Sequence, residues 1–569
     1  METRCFCGGL IVAAVVGGCA VGPDYRTPES RAPSDWSGLK TGTPTSQPTS
    51  GPSTRKSDLA TWWTWLNDPA LDTLMERSIE SNLDLRIATA RVREVRAQRD
   101  VTAAAFWPLV NVSGSYTYSG ASLNTGPEPR SGGRSLSRLL PIVTASPGAF
   151  GGTPSLTLTP QRTTLGGSSG PIVSFQPGSF GIPGGRSPSS VTIIPPRSNT
   201  ALAGGTTAVT TTGAGAGSLV SRQMNLFQAG FDASWELDIF GGIRRSIEAA
   251  DYDLAAAEES RRDVLVTLVS EVALNYVQLR GSQRRLMIAN ENIAAQRDTV
   301  ELTRTRYEAG FVSELDVAQA QAQLATTQSQ VPLLEASIRQ SIYQLSVLLG
   351  EPPDALVEEL DKAEPIPATP PEVPMGLPSD LLRRRPDVRL AERQLAAATA
   401  RIGQAMADLY PKFSLTGSFG PQARDIERIF DHKSLAWSLG PGVTWPVFDA
   451  GRIRANIEVQ NAREEEALGT YQKALLVAFQ DVENALIAYM TEKVRYQSLA
   501  EAVTANEQAT DLSSELYSRG LIAFLNVLDS QRALYLSQDQ LVQSETTTVT
   551  NLIALYKALG GGWDSEANP

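Results

Sequence analysis

Trp235-Glu236-Leu237-Asp238-Ile239-Phe240-Gly241-Gly242-Ile243-Arg244 returns 210 residues later as Trp445-Pro446-Val447-Phe448-Asp449-Ala450-Gly451-Arg452-Ile453-Arg454. The same offset carries Ile247-Glu248 onto Ile457-Glu458, Tyr307 onto Tyr517 and Gly310 onto Gly520, with no gap over more than seventy residues. Upstream, an offset of 303 carries Asn82-Leu83-Asp84-Leu85-Arg86-Ile87-Ala88 onto Arg385-Pro386-Asp387-Val388-Arg389-Leu390-Ala391, and Pro108, Gly114 and Tyr116 onto Pro411, Gly417 and Phe419. Self-similarity on this scale marks a tandem duplication, so both halves share one plan. The change of offset places 93 extra residues in the first half, within 119–222. That stretch is Gly, Ser, Thr and Pro with almost no acidic residue, a composition that buries too little apolar surface to offset the entropy of ordering. It reads as a long, mostly disordered loop, dispensable for folding because the second half makes the same turn without it.

Around the duplicated prolines the hydrophobic period is two. Val110, Val112, Gly114, Tyr116 and Tyr118 form one alternating set, and Phe227, Phe231, Trp235, Leu237 and Ile239 a second. Phe413, Leu415, Gly417 and Phe419 form a third, and Leu435, Trp437, Leu439, Val443, Trp445 and Val447 a fourth. These are four strands, each near the length a tilted strand needs to cross a bilayer. A soluble sheet with one wet face fits the same alternation. Four strands cannot hide their edges in lipid, so a membrane barrel built from them needs several chains.

Beyond each duplicated passage the period changes to 3.6. The spans from Gly242 to Tyr307 and from Arg452 to Tyr517 contain no proline and are rich in Ala, Gln, Glu and Arg, which favour helix. Sixty residues of helix reach roughly 90 Å, too long for a compact domain and suited to coiled-coil hairpins. Gly310 and Gly520 end the two spans. Shorter helices return, from about Glu314 to Leu349 and from Phe524 to Leu559, with Pro332 set to kink or break the first.

Arg4 and the short apolar run Leu10 to Val16 have the layout of a secretory signal. It closes on Val16-Gly17-Gly18-Cys19, which resembles a bacterial lipobox with Cys19 as the acylated residue. Cys5 and Cys7 leave with the signal, so no disulfide pair remains. His432 is the sole histidine, which leaves a transition-metal site without its usual ligands. A net charge of −11 offers no basic face to nucleic acid. No nucleophile motif, phosphate loop or acid–base constellation points to an enzyme; Gly560-Gly561-Gly562 lacks the strand–helix context of a cofactor loop. The domain plan is a signal at 1–18, a lipid-anchored tether at 19–61, a first repeat at 62–350, a Pro-rich linker at 351–378, a second repeat at 379–560 and a tail at 561–569.

Leu377-Pro378-Ser379-Asp380-Leu381-Leu382-Arg383-Arg384-Arg385-Pro386-Asp387-Val388, Val447-Phe448-Asp449-Ala450-Gly451-Arg452, the start Cys19-Ala20-Val21-Gly22-Pro23-Asp24-Tyr25 and Trp62-Trp63 together resemble the TolC family of outer-membrane efflux channels, in its lipoprotein branch. The resemblance covers almost the whole chain outside the insertion. It implies an α+β membrane channel: a homotrimer with a 12-stranded barrel in the outer membrane above an α-helical barrel in the periplasm. It also implies a passive exit duct that docks a periplasmic adaptor and an inner-membrane pump of the RND type through the tips at Gly310 and Gly520. No cofactor is implied beyond the lipid on Cys19. The family's acidic periplasmic mouth falls on Asp529, with Asn526 at the second acidic position, and its interhelical latch falls on Asp316 and Tyr517. The latch's basic member falls on Ile522, which cannot play that part. A lipid-anchored coiled-coil scaffold without a pore, and the exit duct of a type I protein secretion system, are the competing readings.

Overall fold

The computed structural model describes residues 20–28, 56–120, 223–370 and 384–563. Cys19 and residues 121–222 lie outside them, as do 371–383 of the linker motif. The chain divides into two compact units, Met1–Tyr116 with Leu226–Pro569, and Thr117–Asn225; of the second, only 117–120 and 223–225 are described.

The first repeat runs through a 3-10 segment (Lys56–Leu66), α1 (Pro69–Ser81), α2 (Leu83–Ala104), β1 (Leu109–Gly120), β2 (Gln223–Leu237), α3 (Gly242–Glu308), α4 (Glu314–Gln328) and α5 (Val331–Leu348). The second has α6 (Pro386–Ala407), β3 (Lys412–Ala423), β4 (Leu435–Thr444), α7 (Arg452–Ser518) and α8 (Phe524–Ala558). Both long helices have 67 residues, about 100 Å each, and none of the described helices is apolar enough to cross a membrane. Each starts at a left-handed glycine, Gly241 at φ 79° and Gly451 at φ 86°. An aspartate caps each start: Asp238 accepts from the Ile243 and Arg244 amides and Asp449 from those of Gly451 and Ile453. Those bonds satisfy amides that have no partner within the helix. They also hold the Asp449 carboxyl below the usual range, the Ile453 amide contributing most. Pro332 lies in the first turn of α5, where its missing amide costs little, and α4 stops just before it. The second return leg, α8, is unbroken over 35 residues.

The four strands form one antiparallel sheet in the order β1-β2-β3-β4. Register aligns Phe231 with Phe419 and Trp437, Trp235 with Leu415 and Pro441, and Leu237 with Phe413 and Val443, so one face is apolar in continuous rows. The other face is polar: Asp232, Ser418 and Ser438 align, with Ser113 Oγ donating to Asp232 at 2.6 Å and the Ser418 and Ser438 hydroxyls 2.8 Å apart. Two expected strands end early. β2 stops at Leu237 and β4 at Thr444, leaving Ile239, Trp445 and Val447 outside. Asp238 is drawn into the α3 cap, and Pro446 has no amide for the ladder. Trp235 and Trp445 instead bond equivalent turns, their indole N–H groups reaching the Phe106 and Leu409 carbonyls at 2.9 and 3.0 Å.

The main core packs Trp62, Leu71 and Leu74 against Val269, Val272 and Tyr276 of α3, Ile342 and Leu345 of α5, and Leu552 and Tyr556 of α8. Residues 560–563 pack beside it. The Gly562 amide donates to the Leu59 carbonyl at 2.9 Å, and the guanidinium groups of Arg262 and Arg389 lie 4.9 and 5.2 Å from the centre of the Trp563 ring. Both arginines bind the buried Glu259 carboxylate at 2.6 Å. The triple glycine is therefore a close crossing that ties the end of α8 to the 3-10 segment and to Arg384–Arg385, and the first residues of the expected tail are packed. Trp563→Ala is expected to destabilise the fold by about 3 kcal/mol. The readout is the thermal midpoint followed by circular dichroism; an unchanged midpoint would mean that the clasp carries no load.

The segment Ala20–Pro28, expected to be part of the tether at 19–61, is seated against the fold. Arg245 donates to the Val21 and Gly22 carbonyls and to Asp24, and the Val21 amide donates to Phe240. Gly22, at φ 99°, crosses Gly403 so closely that a Cβ on it would lie 2.3 Å from the Gly403 Cα.

Candidate functional site at the hairpin tips

Each long helix stops in the same way. Gly310 takes φ 77° and Gly520 φ 75°. The Phe311 amide reaches back to the Arg306 carbonyl at 2.9 Å, and Leu521 to Leu516 at 2.9 Å. The Gly310 and Gly520 amides bond Tyr307 and Tyr517 at 2.8 Å. This is the Schellman closure, which needs a left-handed residue and so selects glycine. It throws the next side chains outward: Phe311 is 77% exposed and its counterpart Leu521 67%. Leu315 and Leu525, also counterparts, are exposed too. Matching apolar groups on both tips leave a surface suited to a protein partner.

Beneath the tips Tyr517, Phe524, Val527, Leu528 and Ala320 form a small buried cluster, with Val300, Val312 and Ile522 packed on it. Ile522 serves this cluster, which accounts for an apolar residue there. Arg306, in the last turn of α3, crosses to the other hairpin. Its Nη1 donates to the Tyr517 carbonyl at 2.6 Å, and its guanidinium lies 4.6 Å from the centre of the Tyr517 ring. Burial pushes the Tyr517 hydroxyl pKa up; nearby Arg306 opposes that and Asp316 adds to it. Asp316 is half-buried in the first turn of α4 and makes no hydrogen bond to Tyr517. Asn526 and Asp529 are exposed on α8, one turn apart. Further up, Gln531 donates to Thr299, Arg532 to Gln323, and Arg285 pairs with Asp539, so α8 is stitched to the first hairpin.

The structure thus brings Tyr517, Asp316 and Ile522 together around one cluster and leaves Asp529 and Asn526 on an open helix face. Arg306 escaped the sequence reading. Its signal was a divergence within the duplication, since the offset of 210 carries Arg306 onto Leu516.

The Outer membrane efflux protein family matches residues 196–351 and 377–561, and the chain belongs to it. Nodulation protein T of Rhizobium leguminosarum bv. trifolii is 28% identical over 97% of this chain and 96% of its own length. The pyoverdine export outer membrane protein OpmQ of Pseudomonas aeruginosa is 31% identical over 97% and 96%. Among solved structures, the outer-membrane channel OprN superposes with a TM-score of 0.74 at 30% identity, covering 96% of this chain and all of that one. The fold is that of the TolC-type channels, and the chain is an outer-membrane efflux component.

Proposed function

We propose that three copies form the outer-membrane exit duct of a tripartite efflux system, docking a periplasmic adaptor and an inner-membrane pump through the tips and exporting small molecules. The observation that carries this reading is the four-stranded sheet: apolar rows on one face, polar rows on the other and two open edges, set at the start of two 67-residue helices. Open edges in lipid must be paired, so β1 of one copy meets β4 of the next, and the family resemblance supplies the number three. A poreless scaffold has no use for such a sheet. Export of small molecules draws on the relatives, whose names include pyoverdine export and toluene efflux. The test is purification in detergent followed by planar-bilayer recording. A trimer that conducts ions supports the reading, and a monomer without conductance overturns it.

We also propose that Cys19 is acylated. Ala20 lies against Gly241, where β2 gives way to α3; a Cβ on Gly241 would fall 2.7 Å from the Ala20 Cα. The seat formed by Arg245 thus supports a lipid held beside the base of the strands. Mass spectrometry of the N-terminal peptide should find a mature chain that starts at a lipidated Cys19; an unmodified cysteine or another cleavage point would remove the anchor from this account.

A further inference from the structure

The first return leg breaks where the second does not. α4 ends at Gln328 and α5 starts at Val331, with Pro332 in its first turn. The offset of 210 carries Pro332 onto Val542, which is buried within the unbroken α8. Beside the break is a cavity of about 440 Å³, walled by residues of α3, α4, α5 and α8. Three polar side chains enter it from α8: Arg532, Tyr535 and Asp539. The same offset sets them against Ala322, Ala325 and Ser329 in the first repeat, so the duplication did not supply them in pairs. We propose that this cavity binds a small organic acid, with its carboxylate on Arg532 and its apolar body on Leu333 and Leu334. The proposal goes beyond the exit duct and does not require the chain to conduct.

Charge selects an anion. The ionisable groups on the cavity wall are Arg285, Arg532, Asp539 and Tyr535. Arg285 and Asp539 satisfy each other, through Nε at 2.6 Å and Nη2 at 3.2 Å, and Gln543 also donates to Asp539 at 2.6 Å. One positive charge is left over, on Arg532, and it disfavours a cation. Among the described residues Arg532 bonds only Gln323, its Nε donating to the amide oxygen at 2.7 Å. Nη1 and Nη2 are thus available to grip both oxygens of a carboxylate end-on, a geometry that suits the planar guanidinium. Burial raises the Tyr535 hydroxyl pKa, with Asp539 adding to the rise and Arg285 opposing it, so that hydroxyl stays protonated and able to donate. Leu333, 65% exposed, and the buried Leu334 supply apolar surface on the same wall. A few convergent polar groups beside apolar ones, in roughly 300–1,000 Å³, describe small-molecule sites in general. The α8 side of the cavity lies about two to four turns along that helix from Phe524. That is toward the tips and away from the sheet, so a dissolved acid fits it better than a lipid.

Equilibrium dialysis of the purified protein in neutral detergent against 2-naphthoate tests the site, with empty micelles as the blank. An acid of this size should bind with a dissociation constant of about 1 mM or tighter. The uncharged 2-naphthamide, which has the same rings, should bind about ten-fold more weakly, the scale of one charge-assisted contact. Arg532→Gln should weaken naphthoate binding by a similar factor. Arg532→Lys keeps the charge but loses the fork, and should weaken it less. Leu333→Ser removes the exposed apolar wall and should weaken acid and amide alike. Arg463→Gln, which removes an exposed arginine of α7 outside the cavity, should bind like the parent. No saturable binding, equal binding of acid and amide, or parent-like binding by Arg532→Gln each overturns the proposal, as does equal weakening by Arg463→Gln. The comparison of acid with amide uses the unmodified chain, so it decides even where a variant misfolds. Conductance is recorded separately, so the duct and the acid site fail independently.

Discussion

Gly420→Val is expected to abolish assembly of the proposed trimer, whereas Gly440→Val in the neighbouring strand is expected to leave it intact. At Gly420 a Cβ would lie 2.1 Å from the Ala229 carbonyl oxygen and 2.4 Å from the Gly230 Cα. Those are backbone atoms of β2, so they cannot swing aside as a side chain would. Making room means parting β2 from β3, the only junction between the strands of the two repeats. At Gly440 a Cβ meets nothing within 4 Å. Both substitutions add the same β-branched side chain, so intrinsic strand preference cancels between them. Heat-modified gel mobility and native mass measure assembly, while circular dichroism shows whether the helices still form. A trimeric Gly420→Val would mean that the strand pair has slack which the geometry denies.

Asp529→Ala should bring cation selectivity close to the unselective limit, and polyvalent cations should block the channel less. Asp529 is exposed on α8, nine residues past Gly520. In a trimer whose tips converge, three such carboxylates surround one axis. Charge rings of this kind set the cation preference of a pore, because they concentrate counter-ions where the passage is narrow. Asn526, one turn nearer the tip, hydrogen-bonds without adding charge, so Asn526→Ala should change selectivity much less. The bland alternative is that Asp529 decorates a solvated helix face. Reversal potentials under a salt gradient separate the two: a parent-like value for Asp529→Ala would place the acidic mouth elsewhere.

The duplication made most of the architecture legible, because equal offsets fix equal elements. The long helices, the tip glycines and the alternating strands all follow from spacing. Strand ends were harder to read. Trp445 and Val447 keep the alternation beyond the ladder, Trp445 bonding the Leu409 carbonyl, and period alone does not distinguish a ladder from its continuation. The seat of Ala20–Pro28 was invisible, since Gly22, Gly403 and Arg245 are far apart in sequence and only their crossing gives them meaning. Arg306 was hidden for a related reason. A basic residue near a helix end is ordinary, and its importance comes from carbonyls 211 positions away. The duplication could have exposed it, had differences between the halves been weighed as heavily as likenesses.

The offset of 210 holds from one helix start to the other, and it also carries Glu314 onto Phe524 and Leu348 onto Ala558. Outward legs of 67 residues and return legs of matching span therefore act as a pair of rulers cut to one length. Every added residue lengthens its ruler by about 1.5 Å. A seven-residue deletion from α3, matched by one in its return leg, would leave the first tip about 10 Å short of its twin. The length of the hairpins can then change without misaligning the tips only when the outward and return legs of both halves change together.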